Sequence, residues 1–303
     1  MKNLKYYLAA ILAFSIWGFF SLVLRPLHAY ASLDILFYRV FSCALIMTLI
    51  SLLFKRQQIK RDVALFRSLP VKSKWATFNI NLCCSLFLTA NWFSFIFVMN
   101  HVSVRATSLA YLVCPVLTTL LAYFVLREKL SRIQWYSVAL SGLGCLLLSY
   151  SSLSDMLFST IVGLSYACYL VSQRRNNGFD KFLVLNVHIL LAALILLPFY
   201  PSFSAAIPSN YEFYFYVEII AVLYTIVPLF LNLYALTGLR SSTVGMLLNI
   251  NPIIAFVLAG LVYHESLGAL QLVAYGLVFL SVLVFNSEFI LKFKNPKLNE
   301  SDE

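Results

Sequence analysis

Two full charges lie inside segments that are otherwise almost wholly apolar. Arg39 and Glu218 each sit about six residues from the end of an apolar run, a depth at which an ionised side chain is costly enough to mark a functional site by default. The two are candidates to pair with each other. The alternative is that each snorkels to an interface or fixes helix packing. A second group of polar side chains is spaced for a helix. Asn81, Ser85, Leu88, Trp92 and Phe95 share one face of the third apolar run, with Asn91 on its flank. Lipid does not favour such a face, so it should point inward, where Asn91 serves either a solute or a neighbouring helix.

Tyr111, Pro115, Thr118 and Ala122 make a comparable face in the fourth run, and Trp17, Gly18 and Ser21 a polar and aromatic patch in the first. Aromatic rings combined with hydroxyls suit amphipathic organic molecules. Pro115 and Pro252 each remove a helical hydrogen bond and bear on the carbonyl four residues earlier, that of Tyr111 or Leu248. Polar groups freed at membrane depth line cavities or pack against neighbouring helices. Asn249, just before Pro252, joins these candidates.

Enzyme chemistry finds little support. The chain has no HExxH, GxSxG, Walker or dinucleotide-binding signature. Its four histidines, His28, His101, His188 and His264, are scattered, and a lone membrane histidine such as His188 reads as a packing partner. The six cysteines fall inside apolar runs without metal-ligand spacing and read as small packing residues. No catalytic residue, metal or other cofactor is expected.

The elements that hold these residues follow from composition. With 61% hydrophobic and 11% charged residues, the surface cannot be solvated all round, so a soluble fold is excluded. Only helices and closed barrels cross a bilayer, and the alternation a barrel needs is absent. Ten spans are expected, near 4–24, 33–54, 75–98, 105–126, 133–150, 156–173, 181–200, 213–236, 241–262 and 268–287. Reading the first as a signal peptide is disfavoured, because the run from Leu8 to Leu24 is long for one. With the N-terminus inside, all Lys and Arg except Arg25, Arg39 and Arg105 fall on the inner side. The charge of +10 is therefore a topology signal and not a nucleic-acid footprint.

The chain also resembles itself. Pro115, Glu128, Leu130 and Gln134 recur as Pro252, Glu265, Leu267 and Gln271, each pair 137 residues apart. Five spans precede the repeat point, and five is odd, so the second copy must run inverted. The expected fold is an all-α integral membrane protein of ten transmembrane helices in two inverted five-helix repeats, 1–150 and 151–290, with a short cytoplasmic tail at 291–303. The acids Glu128 and Glu265 then close equivalent turns on opposite faces. This geometry is characteristic of secondary transporters.

Specific residues also carry a likeness to a family. They are Trp17-Gly18, Asp34-Ile35-Leu36 with Arg39, Asn91-Trp92, Asn100-His101, Ser108-Leu109-Ala110-Tyr111, Pro115, Glu128, Gln134-Trp135 and Gly142. Thr243, Gly245, Pro252, Glu265 and Gln271 continue it, whereas Asn249-Ile250-Asn251 departs from it. Over nearly its whole length the chain resembles the EamA-type drug/metabolite transporters, and among them the RarD family. The resemblance implies a bacterial inner-membrane permease that exports or exchanges small organic compounds.

The expected function is thus alternating-access transport of a small-molecule solute, driven by protons or by the solute's own gradient. The expected partners are that solute and membrane lipid, with no nucleic acid, in a monomer or homodimer. A lipid- or isoprenoid-handling flippase or membrane-embedded enzyme is the rival reading.

Overall fold

In the computed structural model, residues 3–102, 104–149, 153–176, 178–205, 207–264 and 268–287 are described, and among them there is helix and no strand. The first half runs α1 (Leu4–Gly18), α2 (Phe20–Leu24), α3 (Ser32–Phe54), α4 (Arg56–Ser68), α5 (Val71–His101), α6 (Val104–Leu126) and α7 (Arg132–Ser149). The second begins with α8 (Leu153–Gln173), α9 (Lys181–Leu196), α10 (Tyr200–Phe203) and α11 (Tyr211–Ala221). It ends with α12 (Val227–Gly238), α13 (Ser241–Leu247), α14 (Ile250–Leu261) and α15 (Ala269–Phe285). The proposed tail at 291–303 lies outside the described residues, as does Glu265.

Helices cover all ten expected stretches, and eight are long and apolar enough to cross a bilayer. The other two fall short for different reasons. α15 has only 17 residues, and α7 is diluted by Arg132, Gln134, Ser137 and Ser141. These two helices pack on each other, and Ser137 and Gly144 of α7 lie in the contact. Ser137 Oγ donates to the Ser281 carbonyl, and a Cβ at Gly144 would lie 2.9 Å from the Ala274 carbonyl oxygen. Close crossings through small residues are how helices associate where lipid removes the hydrophobic incentive.

The basic stretch at 55–74, between the second and third expected spans, is largely helical as α4. Its polarity ruled out a span but not a helix. Asp62 on α4 is buried and accepts the Asp180 backbone N–H at 2.8 Å, while Lys55 bridges Asp180 at 3.1 Å. Asp180 in turn caps α9, accepting from the N–H groups of Phe182 and Leu183.

Among the described residues, those flanking the repeated acids share local geometry in both copies. Among the described residues, Arg127 and His264 are the non-glycine positions with positive φ, at 56° and 53°, each directly before the repeated acid. Gln134 Oε1 then accepts the Ser131 N–H, and Gln271 Oε1 the Gly268 N–H, each at 3.0 Å. The prolines diverge. α6 runs unbroken through Pro115, whereas the chain around Pro252 breaks between α13 and α14. Pro252 cannot donate to the Leu248 carbonyl, and the Asn251 N–H takes that place at 3.1 Å. The Leu248 carbonyl is therefore not left free, contrary to the simple reading of a helix proline.

Candidate functional site

A cavity of 720 Å³ extends from the middle of the bundle to one end. Its rim comes from Ser21, Leu24, Ser32, Met99, Thr107 and Gln271. The wall is chiefly aromatic: Trp17, Trp92, Phe95, Tyr111, Tyr166, Tyr224 and Tyr275 all face it. Amides of Asn91, Asn251 and Gln271 add polar points. Arg39 is the one charged side chain among the described residues of the lining.

Trp17 owes its position to a defect in another helix. Between α11 and α12 the chain winds as a π-helix over Val222–Ile226, two residues before Pro228. Pro228 has no N–H for the carbonyl four residues earlier, that of Tyr224. Trp17 Nε1 donates to that carbonyl at 2.8 Å, so the indole is pinned across the two halves. Its ring meets Tyr166 edge-on at 5.8 Å, and Asn232 Nδ2 donates to the Tyr166 hydroxyl at 2.9 Å. Trp17→Phe keeps a ring but removes this donor. The expected cost is about 1–2 kcal/mol, seen as a lower thermal midpoint of the purified protein, and an unchanged midpoint would show that the Tyr224 carbonyl has another partner.

Arg39 is half-buried, and its guanidinium carbon lies over the Trp92 ring, 5.1 Å from the centroid. Its Nε has no hydrogen-bond partner. Glu218 is not its counterion among the described ion pairs; it accepts instead from Ser42 Oγ at 2.6 Å and is exposed.

Of the residues proposed from sequence, Trp17, Ser21, Arg39, Asn91, Trp92, Tyr111 and Pro252 share the cavity wall. Asn91 is also helix glue, its Nδ2 donating to the Val162 carbonyl at 3.0 Å and to Ser165 Oγ at 3.2 Å. The structure does not bring Asn81, Pro115, Thr118 or Asn249 to that wall. Asn81 Oδ1 accepts from His188 Nε2 and Asn176 Nδ2, at 2.9 and 2.8 Å, and His188 Nδ1 lies 2.9 Å from Gln173 Nε2. That network of buried and half-buried side chains makes His188 a packing partner. Thr118 is buried, with Oγ1 donating to the Cys114 carbonyl and its methyl against Gly245. Pro115 is buried within α6. Asn249 is fully buried with both amide atoms unpartnered, and nothing in the surroundings accounts for this.

Glu128 lies at the opposite end of the bundle, where it joins the halves. Its carboxylate accepts the backbone N–H groups of Ser241 and Ser242 at 2.8 and 3.0 Å and the Ser242 hydroxyl at 2.6 Å, capping α13. Beside it, Arg240 donates to the Lys129 carbonyl at 2.8 Å and Arg175 to the Val125 carbonyl at 3.1 Å. Sequence reasoning missed Tyr166, Tyr224 and Tyr275, because in a chain with 16% aromatics one more tyrosine carries no signal.

Comparison with known proteins agrees with this architecture. The EamA-like transporter family pattern matches residues 4–150 and again 153–287. The chain is 26% identical to protein RarD of Escherichia coli (strain K12) over 281 residues, covering 92% of each chain. It is equally 26% identical to the uncharacterized transporter YojE of Bacillus subtilis (strain 168) over 279 residues, 90% of each. A solved crystal structure, 13% identical, superposes with a TM-score of 0.71 over 93% of this chain and 97% of its own, a likeness of fold. The chain is a multi-pass membrane protein and belongs to the EamA-like transporter family.

Proposed function

We propose that this protein is a secondary transporter that moves small organic solutes by alternating access. The observation that carries the reading is a bundle open at one end and latched at the other. The cavity reaches the end rimmed by Ser21 and Gln271, while Glu128 ties the halves together at the far end. In this reading ten helices span the bacterial inner membrane as two inverted five-helix units, 1–150 and 151–290, with both termini cytoplasmic. The twofold family match and the shared turns at Arg127 and His264 support the duplication. The basic loops support the orientation. No cofactor enters the mechanism: rocking of one unit against the other exposes the cavity to each side in turn.

Flux in sealed vesicles of the purified protein tests this, screening amino acids, amphenicols and nucleosides with and without an imposed proton gradient. Saturable flux is expected, and Tyr111→Ala and Trp92→Ala should abolish it without unfolding the protein. Flux for none of the classes would turn the reading toward lipid handling.

A further inference from the structure

The charge balance of the cavity is one-sided. Arg39 faces a wall that holds no Asp or Glu among its described residues, and its Nε has no hydrogen-bond partner. No ion pair reaches it among the described residues, and Glu218 is engaged by Ser42. Trp92 offers it an aromatic face at 5.1 Å. A ring face attracts a cation without using its N–H donors, and because Arg39 lines the cavity, the donors of its fork that reach it match a carboxylate in bidentate geometry. A cation at membrane depth without an anion is unfavourable, so the resting cavity is poised for one. Around it, Trp17, Phe95, Tyr111 and Tyr166 supply flat apolar surface. Phe95 and Tyr111 pack at 5.5 Å, and Trp17 is held by the Tyr224 carbonyl, so this surface is preformed.

We infer that the cavity takes small organic carboxylates with an aromatic body, the carboxylate seated on Arg39 and the body against the aromatic wall. This deepens the transport reading and rests on it for direction of movement, but binding is measured independently of flux. The same chemistry could be met by a free solute or by an anionic lipid entering from the bilayer, and the proposal commits to the solute.

The test uses the full-length protein in lipid nanodiscs, with 3-phenylpropionate and its neutral amide as probes and calorimetric titration as readout. Wild-type protein should bind the acid about tenfold more tightly than the amide. Arg39→Gln should bring the two affinities together, and Arg39→Lys, which keeps the charge but loses the fork, should fall between them. Equal affinity for acid and amide in folded wild-type protein, or an acid preference that survives Arg39→Gln, overturns the inference. Should Arg39→Gln not fold, Arg39→Lys with wild-type protein carries the decision. Repeating the titration with and without phosphatidylglycerol separates the sources. Acid binding that disappears in the anionic lipid while a lipid-induced thermal shift depends on Arg39 assigns the site to lipid and sinks the solute proposal. Flux of neutral solutes without acid preference would remove the carboxylate assignment and leave transport standing. Acid binding without flux of any solute would do the reverse.

Discussion

Glu128→Ala protein is expected to show amide exchange in α13 about ten- to a hundredfold faster than wild type, while exchange in α9 stays unchanged. Glu128 satisfies two of the backbone N–H groups that any helix start leaves without partners, and it places negative charge at the positive end of the helix dipole. Losing a carboxylate cap with an added hydroxyl contact costs about 1.5–3 kcal/mol, and each 1.4 kcal/mol is a factor of ten in the opening equilibrium. The cap crosses from the first half of the chain to the second, so the opening it governs is that of the latched end. Hydrogen exchange followed by mass spectrometry reads it directly. Glu128→Gln, which keeps an acceptor but no charge, should fall between. If α13 exchanges at the wild-type rate in Glu128→Ala, the latch holds without this residue and its role in gating is lost. Under the transport reading, the alanine variant should also populate conformers open at that end, with the equilibrium shifted by the same factor.

Gly163→Leu is expected to fail to yield folded, monodisperse protein, and Gly163→Ala to lower stability by about 1–3 kcal/mol. α6 and α8 cross with backbone against backbone. A Cβ at Gly163 would lie 3.1 Å from the Ala110 carbonyl oxygen and 3.2 Å from the Cys114 nitrogen, and neither atom is the flexible end of a side chain. Any larger residue forces the two helices apart. They carry Tyr111 and Tyr166 into the cavity, so a variant that does fold should also bind solute less well. Gly142 is the internal control. Nothing lies within 4 Å of a Cβ there, so Gly142→Ala should hold or raise stability by up to about 1 kcal/mol through helix propensity alone. Thermal unfolding and size-exclusion profiles of the three variants check the contrast. Equal behaviour of Gly163→Leu and Gly142→Ala would show that the two helices do not meet backbone to backbone.

Several features are legible in the chain itself. The length of apolar runs and the crowding of Lys and Arg between them are one-dimensional properties, because a bilayer asks only for about 20 apolar residues in a row and charges at their ends. The duplication is legible for a related reason. Gln134 and Gln271 serve local turns whose hydrogen bonds close within a few residues, so their identities recur with their positions.

What only the tertiary structure decided is which face of each helix meets which neighbour. Asn81 and Asn91 lie on one expected face of the same helix, yet Asn81 bonds His188 while Asn91 reaches the cavity. Thr118 has the spacing from Tyr111 of a cavity residue, but the absence of a side chain at Gly245 draws α13 onto it. The rotation of a helix in an all-apolar chain is set by close crossings at glycines and by orphaned carbonyls such as that of Tyr224. Those partners lie far away in sequence: Trp17 and Tyr224 are 207 residues apart. Hydrophobic periodicity cannot supply the rotation, because lipid and protein interior are almost equally apolar and a helix facing both shows no dominant face.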